Sequence, residues 1–140
     1  MIKNFNYFLI ILILAFGCSK NPKDYIEHLN GYWEIDEVTL PDGSKRDYNY
    51  NDTIDFINVT DSLTGFRKKM KPNLDGTYSV TNNEEHFKIK IENDSLNVYY
   101  KTPYAEWKET ILDVTEDKMM VKNRDNLLYE YKRYEPINLE

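Results

Sequence analysis

The stretch that decides the fold is His86-Phe87-Lys88-Ile89-Lys90-Ile91-Glu92-Asn93-Asp94-Ser95-Leu96-Asn97-Val98-Tyr99-Tyr100-Lys101. Phe87, Ile89 and Ile91 alternate with Lys88, Lys90 and Glu92; then Leu96, Val98 and Tyr100 alternate with Asn97 and Tyr99. A period of two marks strands buried on one face and wet on the other. Asn93-Asp94, between the two runs, is turn chemistry. The segment therefore predicts an antiparallel hairpin.

Outward from this hairpin the same period continues from Gly31 to the C-terminal region. It predicts strands at 31–40, 53–60, 65–71, 76–81, 86–92, 95–101, 104–114, 118–122 and 127–134. Turn signals separate them, among them Asp42-Gly43-Ser44, Asp75-Gly76 and Asn82-Asn83. In the last strand Leu127, Tyr129, Tyr131 and Arg133 share one face. Short connections favour an up-and-down meander, which must close or stack to hide its edges. A single closed antiparallel barrel of about eight strands does both, with an open sandwich as the alternative. Ahead of the strands, Asn21 caps and Pro22 opens a short helix with Tyr25, Ile26 and Leu29 as its apolar stripe, ended by Gly31.

The 140 residues suit one domain. Asp and Glu number 24 against 18 Lys and Arg, a net charge of −6, which excludes the basic surface that non-specific nucleic-acid binding needs. Aromatic residues make up 14%, with twelve Tyr, unlike a disordered acidic chain. One Cys and two His leave no disulfide framework and no Cys/His zinc set. No metal and no cofactor is expected.

The N-terminus reads as an address. Lys3 precedes the apolar run Tyr7 to Phe16, which is too short for a membrane-spanning helix of ~20 residues. Gly17-Cys18 follows, then polar Ser19-Lys20-Asn21. This junction resembles a bacterial lipobox. The resemblance implies that residues 1–17 are a signal peptide and that Cys18 becomes the lipid-modified N-terminus, acylated by palmitate-type chains. Residue 19 is Ser rather than the Asp that retains some lipoproteins in the inner membrane, so the outer membrane of a Gram-negative cell envelope is the expected location, periplasmic or surface-facing. The expected organisation is 1–17 signal peptide, 18–30 lipidated Cys with linker and helix, 31–135 barrel and 136–140 frayed tail.

Gly31-Tyr32-Trp33, at the start of the first strand and just after a short helix, resembles the Gly-x-Trp of lipocalins. The resemblance implies that Trp33 closes one end of the barrel beneath an Arg of the last strand, here Arg133. A guanidinium over an indole face is worth ~0.5–2 kcal/mol. Taken with the lipobox, the chain resembles the small lipocalin-like lipoproteins of Gram-negative bacteria.

Other signals are weaker. His28 and His86 sit in no motif with Ser or Asp, the only Cys is assigned to lipid, and no carboxylate pair stands out, so the chain reads as non-catalytic. The Asp-Gly pairs lack EF-hand ligand spacing and read as turns. Arg67-Lys68-Lys69-Met70-Lys71 reads either as a lysine-protected edge strand or as a lipid head-group contact. Asp52-Thr53, Asp61-Ser62 and Asp94-Ser95 resemble an O-glycosylation pattern of exported proteins and also read as turns. Tyr78, Phe87, Tyr100, Trp107, Tyr129 and Tyr131 form the candidate ligand-lining set, because polar-tipped aromatics line binding cavities.

The sequence thus leads to a membrane-anchored barrel holding a small hydrophobic or lipid-like ligand. The alternative is a filled barrel that binds an envelope protein or glycan through its outer surface, with Tyr48, Tyr50, Tyr99 and Tyr104 as an exposed aromatic patch. For the anchor, Cys18→Ala should shift the protein from the membrane to the soluble fraction or block its processing; unchanged membrane attachment with unchanged mass would refute lipidation.

Overall fold

The computed structural model describes residues 20–136; the signal segment, Cys18 and residues 137–140 lie outside the described residues. The hairpin forms in the expected register, with His86 opposite Lys101, Ile89 opposite Val98 and Glu92 opposite Ser95. Asn93 (φ 50°) and Asp94 (φ 61°) both take positive φ. This is the two-residue turn whose twist matches that of the flanking strands, and Asn and Asp tolerate it best after Gly.

The elements are α1 (Pro22–Leu29), β1 (Gly31–Thr39), β2 (Lys45–Asp47), β3 (Ile54–Val59), β4 (Thr64–Pro72), β5 (Tyr78–Glu92), β6 (Ser95–Lys101), β7 (Glu106–Val114), β8 (Lys118–Lys122) and β9 (Leu128–Arg133). All neighbours pair antiparallel, β3 through β9 in chain order. β1 pairs with β3 on one side and β9 on the other, which closes an eight-stranded barrel of β1 and β3–β9. β2 is a short flap on the far end of β1, from Glu37 to Thr39. A bulge between Ile35 and Glu37 bends β1 where it leaves β3 for β2. The inward faces bury Trp33, Ile57, Phe87, Ile89, Leu96, Val98, Tyr100, Ile111, Val114, Met119, Val121 and Tyr131.

Two expectations change. The runs at 76–81 and 86–92 are one strand, β5, because pairing with β4 continues from Arg67–Glu85 and Lys68–Glu84 to Met70–Val80. Asn82-Asn83 is therefore exposed strand and not a turn, since ladder bonding overrides local preference. The basic run lies in β4, which is flanked by β3 and β5, so the lysine-protected edge is ruled out by closure of the sheet. β2 has only three exposed charged residues and carries no alternation to read.

One end of the barrel is shut by α1. Asn21 Oδ1 accepts from Lys23 N at its start, and Leu29 buries its apolar stripe in the core. A helix end leaves carbonyls without partners. Here Trp33 Nε1 donates to Leu29 O at 2.9 Å, while Arg133 Nη2 and Nη1 donate to His28 O at 3.0 Å and Asn30 O at 2.8 Å. Arg133 Nε donates to Glu116 O at 2.8 Å, in the β7–β8 turn. Its guanidinium carbon lies 3.6 Å from the Trp33 ring centroid. Gly31 makes room for this arrangement, since its φ is +121° and a Cβ there would stand 2.8 Å from Arg133 Nη1.

The far end of the β4–β5 hairpin lies against the outside of β1. Tyr78 stacks on Tyr32, with centroids 5.0 Å apart and planes 7° apart, and meets Tyr134 edge-on. Tyr32 also touches Phe56, which touches Phe66. Ile54 and Asp55 are both buried although they face opposite sides of β3, because the inner core covers one and this outer aromatic layer the other. Trp33→Ala should cost roughly 3–5 kcal/mol in urea unfolding, the range for truncating a buried Trp; a cost near zero would show that the closure does not hold the barrel.

Candidate functional site

Alternation along β4 sends Gly65, Arg67 and Lys69 inward. At Gly65 a Cβ would run into Asn58 O and come within 2.7 Å of Phe87 Cζ, so only glycine lets the Phe87 ring lie across the strand. Arg67 enters the barrel beside this ring. Its Nε lies 2.6 Å from Glu85 Oε2 and its Nη1 3.2 Å from Glu109 Oε2. Its guanidinium carbon sits 4.6 Å from the Tyr100 centroid, and Tyr100 stacks on Trp107 at 4.9 Å. Trp107 Nε1 donates to Glu109 Oε1 at 3.3 Å. Deeper in, Asp55 is 2% exposed. Lys69 Nζ stands 2.6 Å from its Oδ1, close enough for an ion pair but out of line for a hydrogen bond.

Burial works against the Arg67 charge, yet Tyr100 and Glu109 outweigh it and hold the guanidinium pKa well above its usual value. Burial pushes the Tyr100 and Tyr131 hydroxyls far up, so both stay protonated. The interior is therefore an ion-paired polar core threaded through aromatic rings. The space enclosed by Asp55, Ile57, Arg67, Tyr100, Glu109, Ile111, Met119, Val121 and Tyr131 is about 10 Å³. That is room for about one water at most.

Five of the six candidate ligand-lining residues point into this interior. Phe87, Tyr100 and Tyr131 are buried, and Trp107 and Tyr129 are half-buried and packed against the same core. Phe87 meets Tyr100 edge-on and Tyr129 stacks on Tyr131, so the rings pack the barrel interior. Tyr78 is a correction: the hairpin carries it to the outer face, against Tyr32. Trp33 and Arg133 meet as the sequence implies. The inward charges Asp55, Arg67, Glu85 and Glu109 were missed. Their signal was cross-strand charge matching, since Arg67 stands opposite Glu85 and Lys69 opposite Asp55.

The roomy space is elsewhere. An open groove of about 840 Å³ is lined by Thr60, Thr64–Phe66, His86–Lys88, Tyr99–Lys101, Glu106 and Trp107. Gly65, Phe87, Tyr100 and Trp107 form one hydrogen-bonded row, and their inner neighbours Arg67, Glu85, Ile89 and Glu109 do not line it. The groove thus runs over the outer wall of β4–β7. Thr64, Lys88 and Tyr99 stand on one side and Phe66, His86, Lys101 and Glu106 on the other. Of the expected aromatic patch, Tyr99 lines this groove, while the exposed Tyr50 lies with the β4–β5 turn. Tyr104 is exposed between β6 and β7, and Tyr48 is half-buried.

For catalysis, His86 is exposed beside Glu84 and His28 lies on α1 beside Glu27. Glu85 and Glu109 are both tied to Arg67, which holds them as counter-charges. Asp42 and Asp75 accept from Ser44 and Thr77 within their own turns, which holds both carboxyls below the usual range. Among the described residues no group of three His, Cys, Asp or Glu is placed to hold a metal. Arg67→Ala should cost roughly 3–5 kcal/mol in chemical denaturation, because Glu109 is left buried without its counter-charge; restoring stability by adding Glu109→Leu would confirm that the loss is electrostatic.

Residues 29–121, from the last residue of α1 to β8, match the family model of the lipocalin-like domain. Two solved structures are similar in fold. One is a lipocalin-like protein from Bacteroides uniformis, 8% identical with a TM-score of 0.48, the match covering 76% of this chain and 99% of that one. The other is an uncharacterized protein from Bacteroides eggerthii, 14% identical with a TM-score of 0.47 and the same coverage. No curated protein matches the chain. With more than half of its length matched by the family model, the chain belongs to the lipocalin-like domain family.

Proposed function

We propose that this protein is a lipid-anchored, non-catalytic binding module of the cell envelope that works through the outer wall of its barrel. The observation that carries the reading is the contrast in room. The interior encloses about 10 Å³ and the groove on the outer wall about 840 Å³. A drug-sized ligand needs a pocket of ~300–1,000 Å³. The sequence leads to a small apolar ligand in the barrel mouth; the interior below that mouth is filled by Phe87, Tyr100, Tyr131 and the Arg67 ion pairs.

The anchor part of the proposal rests on Gly17-Cys18 and on the apolar run before it. The groove supplies an aromatic and cationic lining, with Phe66, Tyr99, Lys88 and Lys101.

Native mass spectrometry of residues 19–140, purified gently from an envelope, tests where the binding lies. The bare polypeptide mass is expected. A reproducible extra mass that leaves on denaturation and is unchanged by Tyr99→Ala in the groove would put a ligand inside the barrel and overturn the outer-wall reading.

A further inference from the structure

The outer faces of β5–β8 carry an excess of cations on a chain whose net charge is −6. Register sets Lys88, Tyr99 and Lys108 in one cross-strand row. The next row holds Lys90, Asn97, Thr110 and Lys122. All four lysines are exposed and form no ion pair among the described residues, whereas Lys20, Lys45, Lys68, Lys69, Lys101, Lys118 and Lys132 do. The carboxylates on this wall are already engaged. Glu92 accepts from Tyr99 Oη and from Asn97, and Glu106 pairs with Lys101. Lys90 Nζ stands 5.2 Å from the Tyr99 centroid.

The chain enters the barrel beside this wall. Lys20 Nζ is 2.8 Å from Asp113 Oδ1 in β7, and Tyr25 Oη donates to Leu112 O at 3.4 Å. Leu112 is itself exposed. Cys18 is two residues before Lys20, a reach of at most ~7 Å. An acyl chain on Cys18 therefore keeps the end of β7 close to the membrane surface.

We infer that the β5–β8 wall lies on the anionic headgroups of the membrane that carries the anchor. This rests on the lipid-anchored, outer-wall reading above and names the partner of that wall. Lysines close to an anionic leaflet are drawn to it over about a Debye length. Tyr99, a ring with a polar tip between Lys88 and Lys108 in one row, suits the headgroup layer. The groove between Tyr99 and Phe66 then faces the lipid and gives a headgroup a recess.

The test uses the full chain purified from membranes with its acyl chains. It is reconstituted in phosphatidylethanolamine vesicles with and without phosphatidylglycerol, and amine acylation of each lysine is read by peptide mass spectrometry. With phosphatidylglycerol at low salt, labelling of Lys88, Lys90, Lys108 and Lys122 should fall several-fold and recover at high salt. Lys45 and Lys71, away from this wall, should not change. The double variant Lys88→Glu, Lys108→Glu alters only exposed side chains and should abolish the protection of Lys90 and Lys122. Acyl mass present with labelling insensitive to phosphatidylglycerol overturns the inference alone. Protection that appears only on native membranes assigns the wall to a protein or glycan and also overturns it. Acyl mass absent from the intact chain overturns the anchor reading, and the inference with it.

Discussion

One side chain ties together parts of the chain that would otherwise have no reason to meet. Arg133 lays its guanidinium on Trp33 and gives its N–H groups to His28 O, Asn30 O and Glu116 O. It thereby joins the end of α1, the start of β1, the β7–β8 turn and the end of β9. A cation at a helix C-terminus also meets the negative end of the helix dipole. Each acceptor is a backbone oxygen, so the arrangement asks little of the residues around it, apart from glycine at 31. The Trp33 N–H takes Leu29 O, a further carbonyl left over by a helix of only eight residues.

With that end shut, the inward residues decide what the barrel is for. A carrier keeps its interior apolar and open. Here Arg67 and two glutamates occupy the middle, at 2.6 and 3.2 Å. Such a group is weak as a source of stability, because desolvation cancels much of the attraction. It is strong as a determinant of register, because a one-residue slip of β4 would turn Arg67 to solvent and strand Glu85 and Glu109 inside. The aromatic rings pack between these charges and leave no lumen. On the wall, the residues that alternate with the core are free to vary.

Much of this was legible from the chain. The strands, the Asn93-Asp94 turn and the Asn21-Pro22 helix start depend on short-range periodicity and capping, which one sequence displays, while the Trp33–Arg133 closure comes from the resemblance of Gly31-Tyr32-Trp33 to the lipocalin pattern. Three features were not legible. Tyr78 alternates like a core residue, but whether a hairpin tip extends the barrel or turns across its outside is set by contacts with Tyr32 and Tyr134, more than forty positions away on either side. Arg67 reads as solvated because charge usually marks a surface; only its cross-strand partner Glu85 shows that it is neutralised inside, while Lys69 stays exposed and reaches in to buried Asp55. The groove is a property of sheet curvature, which side-chain alternation does not encode. Cys18 lies outside the described residues, so its reading still rests on sequence.

The seam between β1 and β9 has a consequence for how the protein is made. Arg133 Nη1 reaches Asn30 O across 103 positions of sequence, and no earlier strand offers β1 that partner. A nascent chain emerging N-terminus first would present β1 with one edge unsatisfied until β9 had arrived. Non-local pairing of this kind is slow, and an open sheet edge invites other strands. During biogenesis the half-finished meander is thus the vulnerable species. A bound chaperone, or tethering of the front end to a surface that dilutes neighbouring copies, would protect it through the interval before the final strand locks the ring.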